Sequence, residues 1–555
     1  MKKLSLAFIF AFFSGASLLA QTPDWEWART AGSYNNDRCL GLASDTNGNI
    51  YSTGFGGYGS PIVFDTISLN SPSYFVSKHS PSGNIQWAKG TTGGSGSVGT
   101  SITTASGNIY VSGDDGFGTI NFSGYTLNCN GIFLVKYKED GTTVWAKNLA
   151  GLGGDSANVR NIVSDKIGNI YVTGFFNSHK IYFGNTILVN KGQPGSSKDV
   201  FVAKYDSSGN ALWAVNAGGN GYDYSNAIAI DGFDNIYITG FSTSPSMDFD
   251  GIIIPYNGNS YHIFFAKYDS NGIIQWANGF GNSNTVIGNS ITVDELNNIY
   301  LVGSYSGTSI TFQNSTIVNP AQYGGFVSKF DGSGNVIWLK NISSKGDIGI
   351  QKLNITSNKN SFIISGTFTD SLLIGNDQLV GNQDIFVARY DLSGIPFWVK
   401  QAFGNNIDAV TGIINIKDNI YISGNYKSDS LFFDNITLVN TYPPPNFGNE
   451  DMFIANLFDS TLAKVYEIEK ENIFYIFPNP ANTSIAIKLN KNLQEVSSLK
   501  IMNMQGEIVA QHKLLKNNYD AQQIDISQLP NGIYVYSLFS NNKQLGKPGK
   551  LVILH

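Results

Sequence analysis

Charge, histidine and cysteine are all scarce in this chain of 555 residues: 14% of positions are charged, five are His and two are Cys. Two cysteines cannot staple a disulfide scaffold. Cys39 and Cys129 could pair in an exported protein, but they fall at non-equivalent places in the pattern described below, and the preferred reading is two small buried hydrophobes. The five histidines (79, 179, 262, 512 and 555) show no metal-ligand spacing and no His-Cys-Cys cluster, so no metal or other cofactor is expected. A net charge of −6 and a pI near 5.4 lack the basic footprint that nucleic acid requires. Mean hydropathy is −0.09, and beyond the first twenty residues no apolar run is long enough to span a bilayer.

What is plentiful points one way. With 61 Gly, 28 Tyr and 36 Phe, the composition suits short strands joined by tight turns, because aromatics fill pleated surfaces and Gly supplies positive φ. The N-terminus has its own pattern: Met1-Lys2-Lys3, an apolar stretch from Leu4 to Leu19, then Ala20-Gln21 as a small-residue cleavage point. Residues 1–20 therefore read as a secretory signal peptide. No Cys follows the cut to take a lipid.

One phrase recurs seven times, with its aromatic at Tyr51, Tyr110, Tyr171, Tyr237, Tyr300, Phe362 and Tyr421. Six copies read Asn-Ile-Tyr in full, and the copy at Asn360-Ser361-Phe362 is degenerate. The spacings are 59, 61, 66, 63, 62 and 59 residues, and a Gly follows each aromatic at a near-constant offset. A second phrase, such as Phe201-Val202-Ala203-Lys204, keeps the same beat and runs into a turn such as Asp206-Ser207-Ser208-Gly209. A Trp strand follows at Trp87, Trp145, Trp213, Trp276, Trp338 and Trp398. Each unit thus holds about four strands, with a variable excursion between the second and third.

The ends of the array complement each other. The last phrase, at Phe453, has no Trp strand after it, whereas Trp25-Glu26-Trp27-Ala28 is a Trp strand with no Phe phrase before it. The expectation is a closed ring in which the N-terminal strand completes the seventh sheet, since an open array would need polar caps. The run from Phe201 to Ala214, Gly218-Gly219 and Asn235-Ile236-Tyr237-Ile238-Thr239-Gly240 resembles the seven-bladed β-propeller repeat of secreted bacterial proteins. The resemblance covers roughly residues 24–460 and implies a scaffold. The expected fold class is all-β: a seven-bladed β-propeller over 21–461, a linker over 462–473, and a small β-sandwich over 474–555.

The tail has a different pattern and a different charge. From Lys470 onward there are nine Lys against five acids, so the body is the more acidic part. Ile485, Ile487, Ile524 and Ile526 alternate with small or polar residues, as a sandwich strand requires. Pro478-Asn479-Pro480, the turn at Gly506, the run Leu529-Pro530-Asn531-Gly532-Ile533-Tyr534 and the terminal strand with Lys550 resemble the type A C-terminal sorting domain of type IX secretion cargo. That resemblance implies the type IX secretion machinery as a partner, and a secreted or cell-surface location.

Catalytic chemistry finds little support. No Gly-x-Ser-x-Gly elbow or phosphate loop is placed between a strand and a helix. Asp45-Thr46-Asn47-Gly48-Asn49 has the opening of a calcium loop without its closing acid, and reads as a turn. The recurring Lys78, Lys136, Lys204, Lys267, Lys329 and Arg389 read either as a basic ring for an anion or, preferably, as a repeated structural pair with a neighbouring Asp. The regular Trp set, Trp27 included, reads as repeat core. Binding is expected on the irregular excursions, with Tyr58, Tyr261, Tyr323 and Tyr442 as exposed aromatics. Two functions stay open: a non-catalytic module binding glycan or protein, and an extracellular polysaccharide hydrolase or lyase with carboxylates at the propeller channel.

Overall fold

A computed structural model describes residues 23–460 and 474–554, apart from 58, 115, 129–130, 151–156, 194, 257–259, 281–284, 320–321, 356–359, 442–448, 478–480, 490–496, 504–506, 515–521 and 541–542. The signal peptide with Ala20 and Gln21, the linker, Cys129, Tyr58, Tyr442, Pro478, Asn479, Pro480 and Gly506 lie outside the described residues. Every element of the described residues longer than a turn is a strand. The chain divides into two compact units, residues 1–463 and 464–555.

Among the described residues, the first unit holds seven antiparallel sets of four paired strands, the fifth and sixth joined through Ser343 and Leu373. Their first strands are Arg38–Ser44, Val98–Ala105, Ala157–Ser164, Asp223–Ile230, Val286–Val293, Ile348–Ile355 and Asp408–Ile416. In the fourth sheet, for example, Asp223–Ile230, Ile236–Ser242, His262–Tyr268 and Ile274–Phe280 pair in that order. The first strands pack against one another in sequence, and the seventh packs back against the first. In the seventh sheet the fourth strand is Asp24–Gly32, which runs antiparallel to Asp451–Phe458 with Ala28 opposite Ala455. The degenerate sixth copy still makes strands, the second and third lengthening into the ribbon Ser361–Ile374 and Asp377–Asp391.

Local chemistry explains the beat. At the first-to-second turn, Asp45 Oδ1 accepts the backbone N–H groups of Asn47 and Asn49, and Oδ2 accepts from the Asn49 amide at 2.8 Å. Asp165, Asp231 and Asp294 repeat this arrangement. The turn needs one left-handed residue, which is why the position holds Gly48 at φ 85°, Asp234 at 62° and Asn297 at 61°. The second strands are buried on both faces, as sheets between two neighbours must be: Ile170–Phe176 is buried throughout. The first strands carry a β-bulge opposite the repeat Gly, as between Ser225 and Ala227. Polar side chains cap the exposed inner edges: Asn226 Nδ2 donates to Gly288 O at 2.9 Å and Thr411 Oγ1 to Cys39 O.

In the C-terminal unit, one sheet orders Phe474–Phe477, Ser484–Leu489 and Gln522–Asp525, and a second orders Ile508–Lys513, Ser497–Met502, Gly532–Ser540 and Lys543–Ile553. Ile485, Ile487 and Ile524 of the first sheet share one hydrophobic cluster with Leu499, Ile501, Leu538 and Leu551 of the second.

Candidate functional site

The two ends of the seven sheets differ. At the turn end, the repeat residues form a latch between successive sheets. The repeat aromatics Tyr51, Tyr110, Tyr171, Tyr237, Tyr300, Phe362 and Tyr421 are all buried. Tyr237 Oη donates to Asp231 Oδ2 at 3.0 Å, and the Lys267 ammonium lies 5.3 Å from the Tyr237 ring centroid. The same Lys-on-Tyr contact recurs at Lys78, Lys136, Lys204 and Lys329.

The geometry adds detail to two expectations. The recurring Lys donates mainly to a carbonyl of the next sheet's turn, as Lys136 Nζ does to Ser207 O at 3.0 Å and Lys204 Nζ to Ser270 O at 3.3 Å, and Lys329 also pairs with the Asp294 carboxylate at 3.9 Å. The Asp carboxylate is already taken by turn amides and, in several sheets, by the Tyr hydroxyl. Arg389 departs from this pattern, donating to Asp459 Oδ2 at 2.9 Å in a close carboxylate pair. The Trp residues pack on the hydrophobic clusters of the sheets and latch the next sheet as well. Trp27 and Trp398 are buried, whereas Trp87, Trp145, Trp213, Trp276 and Trp338 are half-buried. Their indoles lie under the turn of the next sheet, so Trp213 Nε1 reaches Ser270 O at 3.1 Å and a Cβ on Gly272 would stand 2.8 Å from the Trp213 ring. An indole suits such a junction, its ring on the core and its polar edge toward the turn.

At the other end the first strands begin, the second strands finish and the excursions project. Here repeat identity is lost. The residue after the repeat Gly runs Phe55, Asp114, Phe175, Phe241, Ser304, Thr367, Asn425, and the bulge residue runs Leu40, Thr100, Arg160, Asn226, Asn289, Gln351, Thr411. The third and fourth sheets combine these substitutions into an aromatic platform. Tyr224 stacks on Phe241 with centroids 4.8 Å apart, Phe175 meets Tyr224 edge-on at 4.6 Å, and Tyr261 meets Phe241 at 5.2 Å. Lys198 Nζ lies 4.8 Å from the centroids of both Phe175 and Tyr224 and donates to Tyr224 Oη at 2.8 Å. The exposed Arg160 guanidinium lies 5.2 Å from Phe175. Tyr222 and Tyr261 are 45% and 44% exposed, so both present surface to solvent.

The platform stands on a stitched backbone. Lys198 N–H donates to Gly221 O, Asp223 N–H to Lys198 O, and Thr243 N–H to Tyr222 O. Asp223 anchors the corner from beneath, accepting from Ser242 Oγ, from Ser244 Oγ at 2.9 Å and from Gly219 N–H at 2.8 Å. Burial pushes its carboxyl up to about 7, against the pull of those donors. Asp37 and Asp408 hold the equivalent corners of the first and seventh sheets, and burial raises both to about 7.

Two carboxylates at this end, Glu450 and Asp114, are engaged by neighbouring donors. Glu450 is clamped by Arg38, by Lys427 at 3.1 Å and by the Asn425 amide at 2.9 Å. Asp114 accepts from Asn158 Nδ2 and Val159 N–H. Among the described residues, no group of three or more His, Cys, Asp or Glu side chains is placed to hold a metal ion. Burial lowers His79 to about 4, which keeps it neutral inside its sheet. Of the expected exposed aromatics, Tyr261 belongs to the platform, and Tyr323, 47% exposed, occupies the equivalent place in the fifth sheet. Phe175, Tyr224, Phe241, Lys198 and Arg160 were not singled out from the sequence. The signal that finds them is departure from the repeat at fixed positions.

In the C-terminal unit, Leu529 and Tyr534 are buried, and Tyr534 Oη donates to Pro530 O at 2.8 Å. Gly532 opens the strand Gly532–Ser540, and Lys550 pairs with Val535 in the terminal strand. Residues 475–553 match the family model of the secretion system C-terminal sorting domain. The chain carries a type IX sorting domain. That domain indicates export through the type IX secretion system to the cell surface or the extracellular space. Residues 275–308, spanning the fourth strand of one sheet and the first two of the next, match the β-propeller repeat. No helix among the described residues is long and apolar enough to cross a membrane.

A curated relative, an uncharacterized WD repeat-containing protein of Acanthamoeba polyphaga mimivirus, is 26% identical over 326 residues. The match covers 48% of this chain and 23% of that protein, so the chain spans less than a quarter of its length. Among solved structures, YCF48 bound to D1 peptide is similar over 80% of this chain and 99% of that one, at 8% identity and a TM-score of 0.38. PorZ, a surface component of the type IX secretion system of Porphyromonas gingivalis, is similar over 93% of this chain and 81% of its own, at 12% identity and a TM-score of 0.25.

Proposed function

We propose that the exported protein is a non-catalytic binding module. Its body, residues 21–461, is a seven-bladed β-propeller closed by the N-terminal strand, and residues 474–555 are a β-sandwich that engages the type IX machinery, joined by a linker at 462–473. The closed circuit of first strands and the pairing of Asp24–Gly32 with Asp451–Phe458 support the ring. Two sheets over one hydrophobic cluster support the sandwich. The ligand, a glycan or a protein, is taken at the excursion end. One observation carries this: the repeat is kept at the turn end and broken at the excursion end, where aromatics and cations are exposed on a rigid corner. The clamping of Glu450 and the capping role of Asp114 support a non-catalytic role.

Two experiments test the proposal. Purified protein is screened on a glycan and protein array, with ligands expected to be retained and released intact. Cleavage of a retained polysaccharide, seen as new reducing ends, would replace binding by hydrolase or lyase activity. Deleting residues from Phe474 onward is expected to trap the body in the periplasm, and normal secretion of the truncated chain would overturn the sorting role.

A further inference from the structure

The excursion end does more than expose aromatics, because the chemistry of the platform selects among ligands. Resting on the binding role proposed above, we infer that the platform formed by Arg160, Lys198, Tyr222, Tyr224, Phe241 and Tyr261 binds an acidic saccharide chain, its sugar faces on the tyrosines and its carboxylates at the two cations.

Three observations point there. The aromatic surface is nearly continuous, from Phe175 through Tyr224 and Phe241 to Tyr261, and its outer members Tyr222 and Tyr261 are each almost half exposed. A pyranose ring offers a flat patch of C–H groups ringed by hydroxyls, which fits a tyrosine face whose own hydroxyl reaches the edge. Among the described residues, the cations beside it contact aromatic and phenol groups: Lys198 is held by ring faces and a phenol, and Arg160 by the face of Phe175. Among the described residues, neighbouring acids are engaged by other donors, Asp114 by Asn158 Nδ2 and Val159 N–H. Asp199 accepts from Lys191 N–H and Asn216 Nδ2, and Asp223 from Ser242, Ser244 and Gly219. A cation already resting on aromatic faces is partly desolvated and fixed in place, so an arriving carboxylate meets a pre-oriented donor. In a body that is acidic overall, this is a local reversal of charge.

Other places at this end fit the same ligand less well. Arg38 and Lys427 are spent on Glu450. Tyr323 has Ser304 and Ser306 beside it on the second strand, where the fourth sheet has Phe241, so it builds no platform.

The test is direct binding of the full secreted chain by calorimetry to polymannuronate, to a neutral β-glucan and to polyglutamate. Polymannuronate is expected to bind, with affinity falling about tenfold or more as salt rises from low to physiological levels. Arg160→Ala combined with Lys198→Met is expected to lower that affinity by about tenfold or more, because a charged hydrogen bond is lost at each position. Tyr222→Ala and Tyr261→Ala, at exposed side chains that leave the fold unchanged by circular dichroism, are each expected to lower it about fivefold. Equal binding by wild type and the Arg160/Lys198 variant would overturn the inference, as would polyglutamate binding as tightly as polymannuronate. Binding of the neutral glucan alone, lost in Tyr261→Ala, would overturn the acidic ligand while leaving the proposed binding role intact. No binding to any saccharide or protein would overturn both.

Discussion

The turn end and the excursion end of the seven sheets are made by the same chain, yet they solve opposite problems. At the turn end each sheet must dock on the next in the same way, so Asp, Gly, Lys and Trp recur: Asp231 accepts within its own turn, while Lys136 and Trp213 donate across the junction. At the excursion end the sheets are already registered, and the residues are released to differ. Particular carboxyls at the two ends strike a different balance between burial and donors. At the turn end, partial burial pushes Asp206 up, but the Asn210 and Ser208 donors outweigh it and hold the carboxyl below its usual range. Asp331 behaves the same way with Asn335 and Ser333. At the excursion end, burial dominates and raises Asp37, Asp223 and Asp408. Regularity is thus a sign of docking, and irregularity under a rigid backbone is a sign of recognition.

The largest expected effect breaks the ring itself. Deleting Asp24–Gly32 removes the buried Trp25, Trp27, Ala28 and Ala31 and bares the edge of Asp451–Phe458. The body is expected to lose at least about 5 kcal/mol and its single cooperative transition in thermal unfolding. Next come two glycines that compare the ends. Gly272 at the turn end has φ 81° and the Trp213 ring 2.8 Å from where a Cβ would stand, whereas Gly251 in an excursion hairpin has φ 95° and open space. Gly272→Ala is expected to cost about 3 kcal/mol and Gly251→Ala only about 1 kcal/mol in chemical denaturation, the difference being the clash with the indole. Equal costs would show that the latch is not tight.

The smallest effect is in pH dependence. An acid raised in the folded state stabilises fully below its unfolded value of 3.8, and that stability is lost as pH rises through about 7. Asp223→Asn is therefore expected to flatten the decline in melting temperature between about pH 4 and 8. Asp206→Asn works in the reverse sense. Its carboxylate stabilises above 3.8 and loses that contribution as pH falls, so the variant should be less sensitive to acid. A variant of Asp223 with an unchanged pH profile would show that the corner carboxyl carries no burden of burial.

Much of the fold was legible because a repeat reports the same contact seven times. The phrase at Tyr237, the Gly at 240 and the Lys at 267 announced strands and turns, and the surplus Trp25-Glu26-Trp27 matched the gap after Phe453. Periodicity could not say what each repeated group touches. Trp213 and Lys204 reach across to Ser270, 57 and 66 residues away, and only the packing of one sheet on the next reveals the shared carbonyl. The platform was less legible still. Arg160, Lys198, Tyr224 and Phe241 belong to two sheets and look like noise in each copy taken alone.

By itself the sequence determined the all-β character and the beat of the sheets, because these depend on local turn chemistry and alternation, which act within a few residues, and its tail carried the family resemblance of a sorting domain. The tertiary structure alone decided which irregular side chains become neighbours. That follows from the stacking of sheets about sixty residues apart, where proximity is set by packing and not by distance along the chain.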